Sequence, residues 1–313
     1  MDGDVIVITE FMDEAAVHSL KDHFPARYDP GLADRQSEIA AYGQNVRALV
    51  VRNRTQVTAS LLDALPSLEC VGRLGVGLDN IDLEACKDRG IAVYPATGAN
   101  SLSVAEYVIT GALVLLRQSW FVTPQMIAGE WPRQSAGAGN ELAGKTLGLV
   151  GFGLIARDLA QRATALGMDV IASDPFDAAD DPASGEAKSV DLPTVYAKAD
   201  VISLHVPLTK ATHHLIDDDA LAQMKPGAIL VNAARGGVVS EPAVAKALSS
   251  GQLGGAALDT FETEPLTAEA AAVFEGVPNL ILTPHIAGVS TEANSRVSAM
   301  TANTVLAHLT RQD

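Results

Sequence analysis

Cysteine is scarce in this 313-residue chain, which contains only Cys70 and Cys86. Two cysteines cannot supply a disulfide framework or, by themselves, a set of zinc ligands, and the sequence predicts no metal site. Each lies in an apolar stretch. This placement is typical of small buried residues in a reducing compartment.

The sequence also lacks a long apolar run. The stretch that starts at Val108 is ended by Arg117, well short of the ~18–20 residues that a membrane-spanning helix needs. The amino terminus carries Asp2 and Asp4 and no basic segment, which is not typical of a signal peptide. We therefore expect a cytoplasmic protein with no membrane partner.

Positive charge is in short supply as well. The chain has 22 Lys and Arg against 38 Asp and Glu, which gives a formal net charge of -16. A protein with this charge repels phosphate backbones, so no nucleic-acid partner is expected. An anionic small-molecule substrate would need a local basic pocket that acts against the overall field.

The apolar content is ample and mostly aliphatic, because hydrophobic residues make up 48% of the chain and aromatic residues only 4%. At roughly 100–200 residues per domain, the length predicts two domains. Short apolar runs closed by Gly, Asp, Asn or Pro predict strands buried on both faces. They cover residues 5–8, 48–51, 70–74, 91–93, 146–150, 170–172, 201–204, 229–231, 256–258 and 280–282.

Helical patterns lie between these strands, and their ends carry recognisable capping residues. They predict helices over residues 14–23, 59–65, 157–166, 191–198, 241–250 and 293–309, with N-caps at Asp13, Thr58 and Asp191 and a stop at Gly251. Alternating strands and helices predict an α/β fold with parallel sheets. A long apolar helix over residues 101–118 interrupts the alternation and continues into an arm with Trp131 and Arg133.

A glycine-rich loop follows the strand at residues 146–150. Gly151, Gly153 and Ala156 reproduce the G-x-G-x-x-G/A spacing, in which the glycines allow a tight turn and close approach of a pyrophosphate to a helix N-terminus. The next strand ends near Asp174. A carboxylate there accepts hydrogen bonds from ribose hydroxyls and repels a 2′-phosphate, so the loop predicts a dinucleotide site that prefers NAD to NADP.

Three later strands each end in a polar residue suited to chemistry. Arg235, Glu264 and His285 follow the strands at residues 229–231, 256–258 and 280–282. The carboxyl ends of strands in an open parallel sheet face the ligand crevice. An arginine, a carboxylate and a histidine there indicate hydride transfer at a hydroxyl-bearing carbon, although each residue alone is also compatible with a surface or turn position.

With this glycine loop, these three polar residues and the motifs around them, the sequence resembles the D-isomer-specific 2-hydroxyacid dehydrogenases, in particular the short members that are similar to phosphoglycerate dehydrogenase. The resemblance covers nearly the whole chain. Two positions depart from the common pattern, Ala156 at the third glycine and Thr260 in place of valine. The motifs are Val51-Arg-Asn-Arg-Thr55, Gly72-Arg-Leu-Gly-Val-Gly-Leu-Asp-Asn-Ile-Asp82, Ser103-Val-Ala-Glu106, the Gly151 loop, Ser203-Leu-His-Val-Pro-Leu208, Met224-Lys-Pro-Gly227, Asn232-Ala-Ala-Arg-Gly-Gly237, Leu258-Asp-Thr-Phe-Glu262 and Thr283-Pro-His-Ile-Ala-Gly288.

The resemblance implies a role for each of these polar residues. Arg235 would bind the substrate carboxylate, His285 would be the general acid–base group, and Glu264 would orient it. The backbone amides of Gly75, Val76 and Gly77 would hold the carboxylate as well. The residues implied to contact NAD are Val76, Gly151, Gly153, Leu154, Ile155, Asp174, Val206, Ala233, Ala234, Arg235, Asp259, His285, Ala287 and Gly288.

The family also implies a domain plan. Residues 1–97 and 289–313 would form a flavodoxin-like substrate domain, and residues 98–288 a doubly wound Rossmann domain. The helix and arm at about 101–140 resemble the family's dimerisation element, so we expect a homodimer.

Four arginines bear on the substrate. Arg52, Arg54 and Arg73 fall at strand ends of the substrate domain, and Arg133 lies on the arm. Together they indicate a second anionic group on the substrate, since the guanidinium fork suits phosphate or sulfonate oxygens. 3-Phosphoglycerate and (S)-3-sulfolactate are both candidates. Glyoxylate or hydroxypyruvate reduction stays open, and so does an NAD-sensing corepressor that binds protein partners.

Overall fold

The structure is a computed structural model that describes residues 5–176 and 187–311. The chain divides into two compact units. The first comprises Met1–Asn100 and Val289–Asp313, and the second Ser101–Gly288. The sequence places this division after residue 97, whereas the structure places it after Asn100, at the start of the long helix.

The helices and strands follow one another in chain order. They are β1 (Ile6–Ile8), α1 (Glu14–Lys21), β2 (Ala26–Tyr28), β3 (Ala48–Val51), α2 (Ala59–Ala64), β4 (Cys70–Arg73), α3 (Leu83–Asp88), β5 (Ala92–Pro95), α4 (Ser101–Arg117), α5 (Thr123–Ile127), α6 (Arg133–Ala136), β6 (Thr146–Val150), α7 (Leu154–Ala165), β7 (Asp169–Ser173), β8 (Lys188–Ser189), α8 (Leu192–Lys198), β9 (Val201–Leu204), α9 (Asp218–Gln223), β10 (Ala228–Asn232), α10 (Glu241–Ser250), β11 (Leu253–Leu258), α11 (Ala268–Ala271), β12 (Leu280–Leu282) and α12 (Thr291–Leu309). Short 3₁₀ helices cover Pro30–Ala33, Gln36–Asn45, Ser119–Val122 and Ala272–Phe274.

The first unit contains a five-stranded sheet in the order β2-β1-β3-β4-β5. Its strand pairs are all parallel, and this is the flavodoxin-like order. Helix α12 lies on β4, where a Cβ on Gly72 would come within 2.8 Å of Thr301 and Val305 side chains. The last helix is therefore part of the hydrophobic core of the first unit.

The second unit contains a seven-stranded sheet in the order β12-β11-β10-β9-β6-β7-β8. This parallel sheet has the Rossmann order, with the reversal of strand order between β6 and β9. Helices α4 and α7 share one apolar cluster with the sheet, and α8, α9 and α10 share another. The predicted α/β class, with a Rossmann-type sheet and a flavodoxin-like sheet, is confirmed.

The predicted helix caps are present. The side chains of Asp13, Thr58 and Asp191 accept hydrogen bonds from the first-turn amides of α1, α2 and α8. Gly251 ends α10 in the left-handed conformation, with φ 79°. One boundary was wrong, because α7 begins at Leu154 directly after Gly153, not at Arg157 as the sequence suggested.

Two edge strands were not predicted. β2 is only partly buried and contains Arg27, and β8 has just two residues, both exposed. Neither gives the continuous apolar run that marks a strand covered on both faces.

The two cysteines are buried and form no disulfide, and burial raises the pKa of the Cys70 thiol to about 12. Among the described residues, no helix has both the length and the hydropathy needed to cross a membrane. The cytoplasmic location stays a prediction.

Candidate active site

The glycine loop of the second unit links β6 to α7 at the reversal point of the sheet. Gly151 has φ 89°, and a Cβ on it would lie 2.7 Å from the backbone oxygen of His205 at the end of β9. A Cβ on Gly153 would meet no atom within 4 Å. The loop therefore has open space beside it and the free N–H groups of a helix start, which suits a pyrophosphate.

Asp174 connects the end of β7 to this loop. Its Oδ2 accepts a hydrogen bond from the Phe152 amide at 2.7 Å, and its Oδ1 accepts one from the Phe176 amide at 2.8 Å. Each carboxylate oxygen can accept a further hydrogen bond. The residue therefore has the acceptors that ribose hydroxyls require, and it also shapes the glycine loop.

The turn after β10 carries Arg235. Asn232 fixes this turn, because its amide accepts a hydrogen bond from Ala234 N at 3.1 Å and donates one to the Arg235 oxygen at 2.9 Å. Arg235 Nη1 donates to the Ala234 oxygen at 2.6 Å. Ala233 lies in the same turn and Val206 follows β9, so both are at the carboxyl edge of the sheet.

Glu264 and His285 form a hydrogen-bonded pair at this edge. His285 Nδ1 lies 2.8 Å from Glu264 Oε2, and Glu264 Oε1 accepts from the Phe261 amide at 3.0 Å. Partial burial acts to raise the pKa of Glu264, but the hydrogen bonds from His285 and Phe261 and the charges of His285 and Arg235 outweigh it and lower that pKa. The structure thus brings the three predicted catalytic residues together.

Asp259 holds the segment that carries His285. This carboxylate is 1% exposed and accepts hydrogen bonds from the Ile286 and Ala287 amides, both at 2.8 Å. Thr283 Oγ1 donates to it at 2.6 Å. His285 itself has φ 55°, a conformation that is uncommon for a residue with a side chain. We infer that Asp259 stabilises this turn.

A close backbone approach fixes the distance between two of these loops. A Cβ on Gly236 would lie 1.7 Å from the backbone oxygen of Phe261. The turn that carries Arg235 is therefore packed directly on the segment between Asp259 and Glu264. Only glycine permits this contact.

Two further histidines near these loops were not predicted from the sequence. His205 Nε2 lies 2.9 Å from Ser203 Oγ, and burial lowers the pKa of His205 to about 4. His214 Nε2 lies 2.9 Å from Glu262 Oε1, which makes a second Glu–His pair in the same unit. Ser203 and His205 are two residues apart and belong to the motif at residues 203–208, whereas His214 and Glu262 are far apart in sequence and no local signal marks their interaction.

The predicted substrate arginines of the first unit differ in their surroundings. Arg52 is partly buried and donates from Nη2 to Asn294 Oδ1 at 3.0 Å. Burial lowers its pKa, and the nearby Glu10 carboxylate opposes that shift. Arg54 is exposed and pairs with Asp34.

Arg73 and Arg133 lie on different units. Arg73 Nη1 donates to the Leu74 oxygen at 3.1 Å. Arg133 is exposed on α6, in the second unit. That these four arginines contact the substrate stays a prediction.

The predicted amide cradle of Gly75, Val76 and Gly77 lies shortly after β4 and stays a prediction. The Gly75 amide donates to the Arg73 oxygen at 2.8 Å, so it already has a backbone acceptor. Within the described part of the chain, the amides of Val76 and Gly77 donate to no protein group. These two are therefore the amides with free capacity for a carboxylate.

The donor set of the second unit fits NAD. The open space at Gly153, the helix start at Leu154 and Ile155, and the carboxylate of Asp174 match a pyrophosphate and a ribose. In residues 5–176 and 187–311, no group of three His, Cys, Asp or Glu side chains is arranged to hold a metal ion.

Comparison with known proteins gives consistent matches. The family model for the NAD-binding domain of D-isomer-specific 2-hydroxyacid dehydrogenases matches residues 109–287. The (S)-sulfolactate dehydrogenase of Chromohalobacter salexigens is 55% identical over 301 residues, which cover 96% of this chain and 96% of the relative. The hydroxypyruvate reductase of Thermotoga maritima is 42% identical over 252 residues, which cover 80% of this chain and 81% of the relative.

Solved structures show the same architecture. The D-lactate dehydrogenase of Aquifex aeolicus, solved with NAD and lactic acid, superposes with a TM-score of 0.82 at 28% identity. The match covers 97% of this chain and 95% of that one.

Proposed function

The chain belongs to the family of D-isomer-specific 2-hydroxyacid dehydrogenases, and on this premise we propose that its substrate is a 2-hydroxy acid with a sulfonate on C3, namely 3-sulfolactate. The predicted family and the predicted NAD cofactor are confirmed by the family match and by the NAD complex of the Aquifex relative. The chain is an NAD-dependent oxidoreductase that acts on small 2-hydroxy or 2-oxo acids. Because the chain belongs to a family of dehydrogenases, we do not retain the alternative that it is an NAD-sensing corepressor.

The Glu264–His285 pair supports the proton-transfer step. NAD, when bound, accepts or supplies the hydride at C2 of the substrate. His285 is the proton acceptor for the C2 hydroxyl in oxidation and the donor in reduction. Glu264 bonds Nδ1 at 2.8 Å, so Nε2 is the nitrogen left for the substrate. The single observation that carries this step is that hydrogen bond.

Arg235 is proposed to bind the substrate carboxylate and the C2 oxygen. Its turn is fixed by Asn232 and by the contact of Gly236 with Phe261. A guanidinium can bind both oxygens of a carboxylate with two parallel hydrogen bonds. The charge of Arg235 would also stabilise negative charge that develops on the C2 oxygen.

Arg52 supports the choice of a substrate with a second anion. Its guanidinium is partly buried, and its side-chain partner is the neutral amide of Asn294. Among the described residues, no carboxylate lies within ion-pair distance of Arg52. Buried charges are usually paired, so this arginine favours an anionic ligand.

The similarity to an (S)-sulfolactate dehydrogenase at 55% identity favours sulfonate over phosphate. The S label is compatible with a D-type enzyme. Sulfur gives the C3 substituent a higher priority than the carboxylate, so the D arrangement at C2 is named S.

A substrate screen tests the proposal. The purified chain would be followed by NADH absorbance with (S)- and (R)-3-sulfolactate, D-3-phosphoglycerate, D-glycerate, and D- and L-lactate. We expect the highest kcat/KM for (S)-3-sulfolactate. Higher kcat/KM for D-glycerate, whose oxidation product is hydroxypyruvate, would instead favour the activity of the Thermotoga relative.

We also propose that the chain forms a homodimer through α5, α6 and the residues around them. Neither helix has a buried residue. This part of the chain nevertheless carries large apolar side chains, since Ile127, Trp131 and Trp120 are 84%, 73% and 61% exposed. Apolar side chains of this size rarely cluster on the surface of a monomer. Light scattering on the purified chain should give twice the mass of 32.6 kDa, and a Trp131→Ser, Ile127→Ser variant should move toward the monomer mass.

A further inference from the structure

Glu10 is a buried carboxylate at the end of β1, in the first unit. It is 4% exposed. Its Oε1 accepts hydrogen bonds from the amides of Arg52 at 2.8 Å and Thr55 at 3.0 Å. Its Oε2 accepts from the amides of Asn53 at 3.3 Å and Arg54 at 3.1 Å. Four successive backbone N–H groups thus converge on one side chain.

Converging backbone amides of this kind form an anion-binding concavity. Here the chain fills that concavity with its own carboxylate. Hydrogen bonds to a charged acceptor are stronger than those between neutral groups, so Glu10 fixes the backbone of residues 52–55. A hydrogen bond of 2.8 Å between Thr9 Oγ1 and Thr55 Oγ1 adds to this restraint.

The fixed backbone has two consequences for an anionic ligand. The amides of residues 52–55 are occupied, so only side chains of this loop can bind a second anion. The charge of Glu10 is spread over four donors, which reduces its repulsion of a sulfonate.

The two arginines of the loop are not equivalent. Arg54 is exposed, and its guanidinium pairs with Asp34. Arg52 is partly buried, and among residues 5–176 and 187–311 its guanidinium hydrogen-bonds only to the neutral amide of Asn294. Arg52 therefore keeps its charge available for a ligand, whereas that of Arg54 is already paired.

We propose that Glu10 is a positioning residue for substrate selection: it holds the loop so that Arg52, supported by Asn294, binds the sulfonate of the substrate. The inference rests on the proposed function. Four accepted hydrogen bonds suit a carboxylate better than an amide at this position. A glutamine at position 10 would place an NH₂ group against two of the four amides, because an amide has only one acceptor oxygen.

The test compares two 2-oxo acids reduced with NADH, 3-sulfopyruvate and glyoxylate, of which glyoxylate has no second anion. For Glu10→Gln we expect kcat/KM to fall about 10- to 100-fold with 3-sulfopyruvate, as for loss of a hydrogen bond to a charged group. The loss should be mainly in KM. With glyoxylate the change should stay within about 3-fold.

Asp82→Ala is the matched control. Asp82 caps α3 in the same unit by accepting from Ala85 N at 2.9 Å, so its loss lowers stability without touching the loop. The control should lower Tm and leave the ratio of the two kcat/KM values unchanged. Equal losses of Glu10→Gln for both substrates, or none for 3-sulfopyruvate, would overturn the inference.

Two arginine variants keep the test decisive if Glu10→Gln does not fold. Arg52→Ala should lose the preference for 3-sulfopyruvate, and Arg54→Ala should retain it. The reverse result, or equal effects of the two variants, would contradict the role of the fixed loop. If the unmodified enzyme shows no preference for 3-sulfopyruvate over glyoxylate, the proposed function itself fails; if the preference persists in Glu10→Gln, only this inference fails.

Discussion

Gly236 and Phe261 are in direct backbone contact, since a Cβ on Gly236 would lie 1.7 Å from the Phe261 oxygen. The contact joins the turn after β10 to the segment after β11. Arg235 lies on one side of it and Glu264 on the other. The relative positions of Arg235, the proposed substrate-binding residue, and of Glu264, the proposed partner of the acid–base histidine, therefore depend on the absence of a Cβ atom at residue 236.

We expect Gly236→Ala to destabilise the second unit by at least about 1–3 kcal/mol, because one of two packed backbones must move. Its kcat should fall as well. Gly153→Ala is the matched control, since a Cβ there meets no atom within 4 Å. It should keep Tm and weaken NAD binding, measured by fluorescence titration. Similar Tm values for the two variants would contradict the packing argument.

His285→Ala should lower kcat by about 10²–10⁴-fold, the usual contribution of a general acid–base group. NAD affinity should change little, because the residues that fit the pyrophosphate lie at the glycine loop. His214→Ala is the control, because it also removes an imidazole ring that lies beside a glutamate, Glu262 at 2.9 Å. Its kcat should stay within a few-fold of the original enzyme. Near-normal turnover of His285→Ala would remove this histidine from the mechanism.

Asp174→Ala should narrow the preference for NAD over NADP. The variant loses both the acceptors for the ribose hydroxyls and the charge that repels a 2′-phosphate. It also leaves the Phe152 amide without its acceptor, so kcat/KM for NAD should fall too. Asp174→Asn, whose side-chain oxygen has the reach of the carboxylate and can accept from that amide, removes the charge alone and separates the two effects. An original enzyme with the higher kcat/KM for NADP would refute the assignment.

Acid should destabilise the second unit through His205. Burial lowers its folded-state pKa from 6.5 to about 4, so the unfolded chain takes up a proton between these values that the folded chain does not. Stability contributed by the neutral ring is complete above pH 6.5 and is lost as the pH falls to about 4, by up to about 3 kcal/mol. Urea unfolding at pH 4.5 and 7.5 measures the loss. His205→Asn should show a smaller difference between the two pH values, and an unchanged difference would exclude His205 as the cause.

The sequence predicts those parts of the fold that depend on local pattern. Strands β3, β6, β9 and β12 have the expected bounds, because each is a short apolar run in a parallel sheet. The edge strands β2 and β8 were missed because neither contains a continuous apolar run. Arg235, Glu264 and His285 could be proposed from their places after strands.

Hydrogen bonds between residues that are far apart in sequence could not be predicted from local pattern. Nothing in the local sequence indicates that Glu10 accepts hydrogen bonds from residues 52–55, or that Asp174 bonds the Phe152 amide. An acid two residues after a buried strand was the available signal for Glu10. Its partners are set by the pairing of β1 with β3, which brings together two strand ends that lie about forty residues apart.

The first unit is built from both ends of the described chain, whereas the second is continuous, and this has a consequence for synthesis on the ribosome. Residues 101–288 emerge as a complete unit before α12 has been made. The five-stranded sheet must wait for α12, which covers Gly72 on β4. The NAD-binding unit can therefore form early on the ribosome, while the five-stranded sheet lacks one of the helices that cover it until residues 291–309 have been synthesised.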